Sequence, residues 1–280
     1  MIRITALNIY PVKACRGIAL HSARVTNSGF EHDREWLIVS PEGRFMTQRE
    51  EPRLALVETR IDAHTLRLSS EGSGSLDVSL QAEGAPVEVT CWRDRCAAFD
   101  AGDEAAAWLS DHLQKPARLV RFDARRKRRA DQRWTRGVEA LNRFTDAFPW
   151  LLISQASLDD LNARLTRPLP MNRFRPNIVV EGLPAYGEDH VYEFIAGPVR
   201  LRAVKPCARC VVTTTNQLTG ERDGEEPLRA LKQYRYDRSV SGVAFGQNLI
   251  LSDDGAMQGA RLEVGQTLGV DYRAARSAVN

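Results

Sequence analysis

Two cysteines three residues apart carry the clearest chemical signal in this sequence. Cys207 and Cys210 lie in the segment "AVKPCARCVVTTTNQLTG", and Lys205 and Arg209 flank them. Positive charge beside a thiol favours the thiolate, the form that binds metals and attacks electrophiles. Such a pair can chelate zinc, form a redox disulfide, or hold another metal through one sulfur.

The surrounding sequence weighs differently on each of these alternatives. A structural zinc site needs about four cysteine or histidine ligands, so Cys91 and Cys96 of "CWRDRC" would have to join the pair across a long stretch that resembles folded protein. A thioredoxin-like dithiol begins a helix, whereas the strand-like "VVTTT" follows this pair. Two buried, apolar cysteines are the structural alternative, which the basic neighbours make less favourable.

Polar and cationic residues recur where four predicted strands begin or end. Arginine in particular binds phosphate through two parallel hydrogen bonds, so these segments beside a thiol predict an anion pocket. They are "YPVKACRG" with Lys13 and Arg16, "EHDREW" with Arg34, "MTQREEPRL" with Thr47, Gln48 and Arg49, and "MNRFRPNIVVEG" with Asn172, Arg173, Arg175 and Asn177.

The elements that must position these residues are mostly strands. Short β-branched and aromatic runs separated by Gly, Pro and Ser clusters fill the first hundred residues. Acidic residues and Ala/Leu/Trp periodicity predict a helix over residues 103–115, and "RLVRF" at 118–122 predicts a strand. The basic run at 125–129 predicts a mobile, irregular loop, because like charges repel. We expect an α+β, mostly β fold with a barrel, divided into domains 1–122 and 123–275.

Composition excludes several classes of protein. The chain has 280 residues, 43% of them hydrophobic, and a formal net charge of +3, so nucleic acid is not expected as the main partner. No apolar run reaches the ~18 residues that cross a bilayer, and the N-terminus lacks a secretion signal, so we expect no membrane anchor. Five cysteines at low density indicate reduced thiols and a cytoplasmic location.

Seven segments in order give the chain a nearly full-length resemblance to a known family. They are "IYPVKACRG", "DREWLIV", "TQREEPRL", "LLISQASLDDLN", "NRFRPNIVVEG", "CARCVVTTTNQLTG" and "FGQNL". In these the chain resembles MOSC-domain proteins that also carry a MOSC N-terminal β-barrel domain, such as the mitochondrial amidoxime reducing component and its bacterial relatives. The resemblance implies a MOSC-type β-barrel preceded by an N-terminal β-rich domain, with a few flanking helices.

The same resemblance implies a molybdenum–molybdopterin cofactor. Its metal ligand and catalytic thiol would be Cys210, with Cys207 as an accessory thiol, and Ala14 stands where the family often has serine. The helix start at 154–157 would offer free backbone N–H groups to an anion. The residues expected to bind the cofactor besides Cys210 are Lys13, Arg34, Thr47, Arg49, Ser154, Gln155, Ala156, Ser157, Arg175, Asn177 and Arg209.

The activity implied by the resemblance is reduction of N-hydroxylated compounds to amines or amidines. No cysteine follows Cys210, so no iron–sulfur cluster is expected after it. No nicotinamide-binding fingerprint follows a strand. We therefore expect a separate electron-transfer protein and reductase, with the basic segment 125–136 as docking patch. Two alternatives remain open: a cofactor carrier or sulfur-transfer protein without turnover, and a zinc-stabilised nucleic-acid-binding module.

Overall fold

The computed structural model describes residues 1–252 and 259–273. The predicted end of the second domain at residue 275 lies outside these ranges. The strands are β1 (Ile2–Ile9), β2 (Ile18–Leu20), β3 (Ser22–Thr26), β4 (Gly29–Phe30), β5 (Trp36–Val39), β6 (Glu58–Ile61), β7 (Thr65–Ser70), β8 (Gly74–Ser79), β9 (Pro86–Cys91), β10 (Asp94–Asp100), β11 (Arg118–Phe122), β12 (Arg128–Arg129), β13 (Leu141–Asn142), β14 (Trp150–Ser154), β15 (Ile178–Glu181), β16 (Val191–Ala196), β17 (Val199–Ala208), β18 (Tyr236–Asp237), β19 (Gly242–Leu251), β20 (Arg261–Glu263) and β21 (Thr267–Tyr272).

Helices are few and short within the described ranges, and none is long and apolar enough to cross a bilayer. The helix predicted after the N-terminal strands is confirmed. The α-helices are α1 (Asp103–Leu113), α2 (Gln132–Thr135), α3 (Gln155–Asn162) and α4 (Leu228–Lys232), and 3-10 helices cover Pro52–Leu56, Met171–Arg173, Gly187–His190 and Val211–Thr214.

Seven strands close into a barrel, which confirms the mostly β, barrel-containing fold. The order around the ring is β14, β15, β1, β21, β16, β17 and β19, and β19 pairs again with β14. Only β14 and β15 run parallel among these pairs of described strands. Alternation along β1 buries Ile2, Ile4, Leu7 and Ile9, and these side chains join the largest apolar cluster of the barrel.

The N-terminal half adds two smaller sheets. One has the order β5-β11-β10-β9 and the other β6-β7-β8, and α1 packs its Ala105, Leu109 and Leu113 into an apolar cluster with the second sheet. Strand pairing also crosses the predicted boundary, because β1 pairs with β15 and β21, and β3 pairs with β20. The division at residue 122 stays a prediction, and the first strand contributes to the barrel.

The basic run is irregular over residues 125–127, as expected, but the expectation was wrong for Arg128 and Arg129. Arg128 and Arg129 form β12, which pairs with β13, and α2 follows directly. Arg128 is buried; its Nε donates to Asp94 Oδ2 at 2.8 Å, and its Nη1 donates to the carbonyls of Arg143 and Thr145, both at 2.7 Å. Carboxylate and carbonyl acceptors thus compensate the charge that was expected to repel its neighbours.

Candidate cofactor site

One cavity of about 480 Å³ brings most of the predicted residues together. It is lined by loops of the N-terminal half on one side and by the segments before β15 and at the end of β17 on the other. Its lining is rich in cations, and Asp146 is its one carboxylate among the described residues. The predicted residues in its wall are Lys13, Arg34, Thr47, Arg49, Arg175, Asn177, Arg209 and Cys210.

Each of the two cavity thiols accepts a hydrogen bond from a different arginine. Arg49 Nη2 donates to Cys210 Sγ at 3.2 Å, and Arg209 Nη1 donates to Cys207 Sγ at 2.9 Å. Both thiols are free and partly accessible. Guanidinium donors favour a thiolate over a thiol, so the arrangement suits a sulfur that binds a metal or reacts.

The zinc alternative does not fit this arrangement. Cys91 and Cys96 are buried in an apolar cluster with Leu37 and Val120, whereas Cys207 and Cys210 line the cavity. Burial raises the pKa of the Cys96 thiol to about 11, which disfavours the thiolate that zinc requires. In residues 1–252 and 259–273 no three Cys, His, Asp or Glu side chains are grouped for a metal ion.

Two arginines stack on the buried ring of Tyr10. The guanidinium carbons of Arg34 and Arg175 both lie 4.2 Å from the ring centroid. Arg34 Nη1 donates to both Asp33 oxygens, at 2.8 and 2.6 Å, and to Asn177 Oδ1 at 3.0 Å. Arg175 has no carboxylate within ion-pair distance in the part of the chain described, and burial lowers its pKa to about 10. Within the described residues this charge has no acidic partner, so it can accept an anionic ligand.

Four residues of the cavity wall have backbone conformations that few non-glycine residues adopt. Ala14, Arg34, Trp92 and Arg175 all line the cavity with φ values of 72°, 46°, 61° and 55°. Left-handed backbone at non-glycine residues costs about 1–3 kcal/mol each and persists where surrounding contacts fix it. The site is therefore pre-organised by its surroundings before any ligand binds.

Sequence reasoning missed a polar group that faces Lys13. Lys13 is buried; its Nζ donates to the Phe144 carbonyl at 2.8 Å and pairs with Asp146, which also accepts from Trp92 Nε1 at 3.1 Å. Lys13 lowers the pKa of Asp146, whose side chain is largely exposed. Thr145 and Asp146 precede the apolar "FPWLLIS". This polar pair just before a predicted strand was the feature of the sequence that could have indicated the contact.

Arg222 is a second residue that sequence reasoning missed. Its Nη2 donates to the carbonyls of Gln48 and Arg49 at 2.8 and 2.9 Å, and its Nη1 donates to the Val211 carbonyl at 2.6 Å. The segment that carries Arg49 is thereby tied to the residue after Cys210. Arg222 thus positions the guanidinium that donates to the Cys210 sulfur.

The predicted anion site at the start of α3 lies outside the cavity lining. Ser154, Gln155, Ala156 and Ser157 are absent from the wall, and a carboxylate of the chain itself occupies the helix start. Ser154 N donates to Glu188 Oε1 at 3.1 Å, and Ser157 Oγ donates to Glu188 Oε1 and Oε2 at 2.9 and 2.8 Å. Glu188 is fully buried, and its side chain already accepts the backbone N–H of Ser154 that was expected to face a ligand.

Comparison with known proteins matches both halves of the chain to family models. Residues 1–116 match the MOSC N-terminal beta barrel domain, and residues 140–267 match the MOSC domain. Mitochondrial amidoxime-reducing component 1 is 34% identical in Mus musculus (91% of this chain, 79% of the relative) and 35% in Homo sapiens (91% and 80%). Component 2 of Rattus norvegicus is 37% identical over 84% of this chain and 73% of its own.

Proposed function

Because the chain belongs to the family of MOSC-domain proteins that includes the mitochondrial amidoxime-reducing components, we propose that it is a molybdenum-cofactor oxidoreductase that reduces N-hydroxylated compounds. The observation that carries the proposal is the cavity itself. In it the Cys210 thiol accepts a hydrogen bond from Arg49, and the Arg175 guanidinium has no acidic partner among the described residues. A group with both a thiophilic metal and a phosphate fits that combination.

The residues divide into those that would hold the metal and those that would hold the phosphate. Cys210 Sγ is the proposed metal ligand. Lys13, Arg34 and Arg175 supply positive charge for the phosphate. Polar contacts to the remaining cofactor atoms would come from Thr47, Arg49, Asn177 and Arg209, which line the same cavity. When bound, this cofactor supplies two-electron chemistry: with two electrons and two protons an amidoxime N–O bond is broken, giving an amidine and water.

The chain's own contribution is binding and electrostatics. Arg49 holds the Cys210 sulfur by a hydrogen bond. Arg222 donates hydrogen bonds to four acceptors, two of them the carbonyls of Gln48 and Arg49, and so fixes the segment of Arg49. Asp146, with its lowered pKa, stays ionised and fixes the Lys13 ammonium. Ser154 to Ser157 are left out of the proposed site because they lie outside the cavity wall and already bond to Glu188.

We propose that electrons come from a separate reductase and electron-transfer protein. The proposal is supported by the relatives, which are named as amidoxime-reducing components. The cytoplasmic location stays a prediction from the reduced cysteines, since the relatives are named mitochondrial.

Metal analysis and one assay test the function. Protein from a host that makes molybdenum cofactor is expected to contain molybdenum and pterin, and to reduce benzamidoxime to benzamidine with reduced methyl viologen. Stoichiometric zinc without pterin would instead support the zinc module. Molybdenum and pterin without turnover would support the carrier or sulfur-transfer alternative.

A further inference from the structure

Lys205 places a positive charge in the wall of the cavity that the two thiols also line. It lies on β17, two residues before Cys207, and it lines the same cavity as Cys207 and Cys210. Its backbone carbonyl accepts a hydrogen bond from Asn248 Nδ2 at 3.2 Å, and its strand position pairs with Asn248 of β19. The barrel therefore fixes where this side chain begins.

The Lys205 ammonium has no acidic partner in the described chain. It lies 5.0 Å from the ring centroid of Trp134 on α2, a cation–π contact. Its charge has a small part in the lowered pKa of Asp131, which depends mainly on a hydrogen bond from Arg133. Asp131 is held by Arg133 at 2.5 Å. Lys205 is thus free to pair with an anion that enters the cavity.

Lys205 lies among different neighbours from the cations assigned to the cofactor phosphate. Those cations are grouped around Tyr10 and Asp146. Lys205 instead stands beside an apolar cluster in which Trp134, Val204 and Phe148 pack together, and Phe148 and Pro206 also line the cavity. An apolar wall with a cation beside it is suited to a planar organic group that carries a negative charge.

We propose that Lys205 recognises an acidic substituent of the substrate, so that this enzyme prefers N-hydroxylated compounds carrying a carboxylate over neutral ones. The inference rests on the proposed function, and it adds a specificity-determining residue and a substrate class. The reaction at the N–O bond is unchanged.

The test compares benzamidoxime with 4-carboxybenzamidoxime in the cofactor-loaded protein. Wild-type protein is expected to favour the carboxylate by about tenfold in kcat/KM, as a charge-assisted hydrogen bond in a partly solvated cavity supplies. Lys205→Gln should remove that preference while changing kcat/KM for benzamidoxime by less than about twofold. Lys205→Arg should retain it, and the exposed Lys232→Gln should behave as wild type. High salt should reduce the preference.

Calorimetry and metal analysis distinguish a failure of this inference from a failure of the proposed function. Calorimetric binding of both compounds to wild type and Lys205→Gln reports recognition without turnover. A wild-type preference in binding without reduction of either compound would sink the proposed function and leave the recognition by Lys205 standing. The inference would be overturned if wild type and Lys205→Gln showed the same preference between the two compounds. A loss of molybdenum and pterin from Lys205→Gln would also overturn it, because that loss would assign Lys205 to the cofactor.

Discussion

Arg175 illustrates at the residue scale how a binding site can oppose stability. Its guanidinium lines the cavity, stacks on Tyr10 with Arg34 on the same ring, and lacks a carboxylate partner among the described residues. Burial lowers its pKa to about 10, so at neutral pH the charge persists and its desolvation disfavours folding. An anionic ligand would remove that penalty.

We therefore predict opposite effects of Arg175→Met on binding and on stability. The affinity for the cofactor should fall by about ten- to hundredfold, since a charge-assisted contact contributes about 1.5–3 kcal/mol. Cofactor occupancy should fall with it. The unfolding temperature of cofactor-free protein should rise by a few degrees, because ~1 kcal/mol corresponds to about 2–4 °C for a chain of this size. Metal analysis and calorimetry measure the two effects, with the exposed Arg60→Met as control. A less stable apoprotein with full occupancy would remove Arg175 from the site.

The two thiols should differ in their dependence on the metal. Cys210→Ser is expected to abolish N-hydroxy reduction and to lower bound molybdenum at least tenfold, because its sulfur is the proposed ligand. Cys207→Ser should retain most of the metal, since Cys207 is proposed to be an accessory thiol and not the metal ligand. Metal content and activity of both variants decide the assignment. Equal losses in the two variants would favour a dithiol site.

Residue types together with the family resemblance were enough to predict eight residues that line the cavity. They were not enough to find Asp146 or Arg222, because each acts on a partner far along the chain: Asp146 on Lys13, and Arg222 on the segment of Gln48 and Arg49. A sequence shows such residues as ordinary polar positions. Their roles arise from the way the strands bring distant loops together.

At the scale of elements, local charge was a poor guide and apolar patterning a good one. Strand β11 and helix α1 follow their patterns of apolar residues. The start of α3 and Arg128 of the basic run differ from expectation for one reason. Buried Glu188 bonds to the helix start, and Asp94 with two carbonyls accepts hydrogen bonds from Arg128. These acceptors come from elsewhere in the chain, and spacing alone does not reveal them.

Arg128 is predicted to hold the segment that enters the cavity. Its Nη1 bonds the Thr145 carbonyl, next to Asp146. Arg128→Ser should destabilise the protein by about 2–3 kcal/mol, because two buried carbonyls lose their charged donor, and it should also reduce cofactor occupancy. Urea unfolding and metal analysis measure this, with the exposed Arg129→Ser as control. Unchanged stability in Arg128→Ser would contradict the structural role assigned here.

Glu35 connects β5 to β11 and gives a pH-dependent prediction. Burial would raise its pKa, but the bond to His32 and the charges of Arg143 and Arg121 lower it to about 2. A carboxyl with a depressed folded-state pKa stabilises the fold above its unfolded pKa of ~4.3, and this stability is lost as pH falls toward 2. Glu35→Gln should therefore cost about 2 kcal/mol at pH 7 and progressively less below pH 4.5.

Urea unfolding of wild type and Glu35→Gln across this pH range measures the difference. The exposed Glu71→Gln is the control and should show no pH-dependent cost. A cost that is constant from pH 7 to pH 3 would mean that Glu35 acts through packing rather than charge.

For the whole molecule, the barrel is the reason that the site exists as one cavity. Strand β1 closes the ring between β15 and β21, and the chain leaves it directly into the segment of Lys13 and Ala14. The same ring holds β17, which ends at the cysteine pair. Apolar alternation predicted the strands, but closure depends on pairing between residues more than 150 positions apart, which periodicity does not encode.

The surface around β12 is predicted to guide the approach of an electron-transfer protein. Arg125, Arg126 and Arg129 are exposed, whereas Arg128 is buried. Asp123 pairs with Arg125, and Glu139 pairs with Arg129, which weakens the patch without cancelling it. Replacing all four arginines would therefore mix docking with stability. The informative variant replaces the three exposed ones by serine and keeps Arg128.

This triple variant is expected to lower carrier-driven N-hydroxy reduction about three- to tenfold and to leave viologen-driven reduction nearly unchanged. Steered encounter with an acidic carrier weakens when surface charge is removed or screened, so salt should lower carrier-driven activity of wild type more than that of the variant. NADH alone should support no reduction. A matched variant with exposed Arg60, Arg67 and Arg95 changed to serine controls for net charge. If both triple variants lose the same carrier-driven activity, net charge rather than this patch guides the encounter. If the variant of Arg125, Arg126 and Arg129 loses as much viologen-driven as carrier-driven activity, the segment serves the cofactor or substrate.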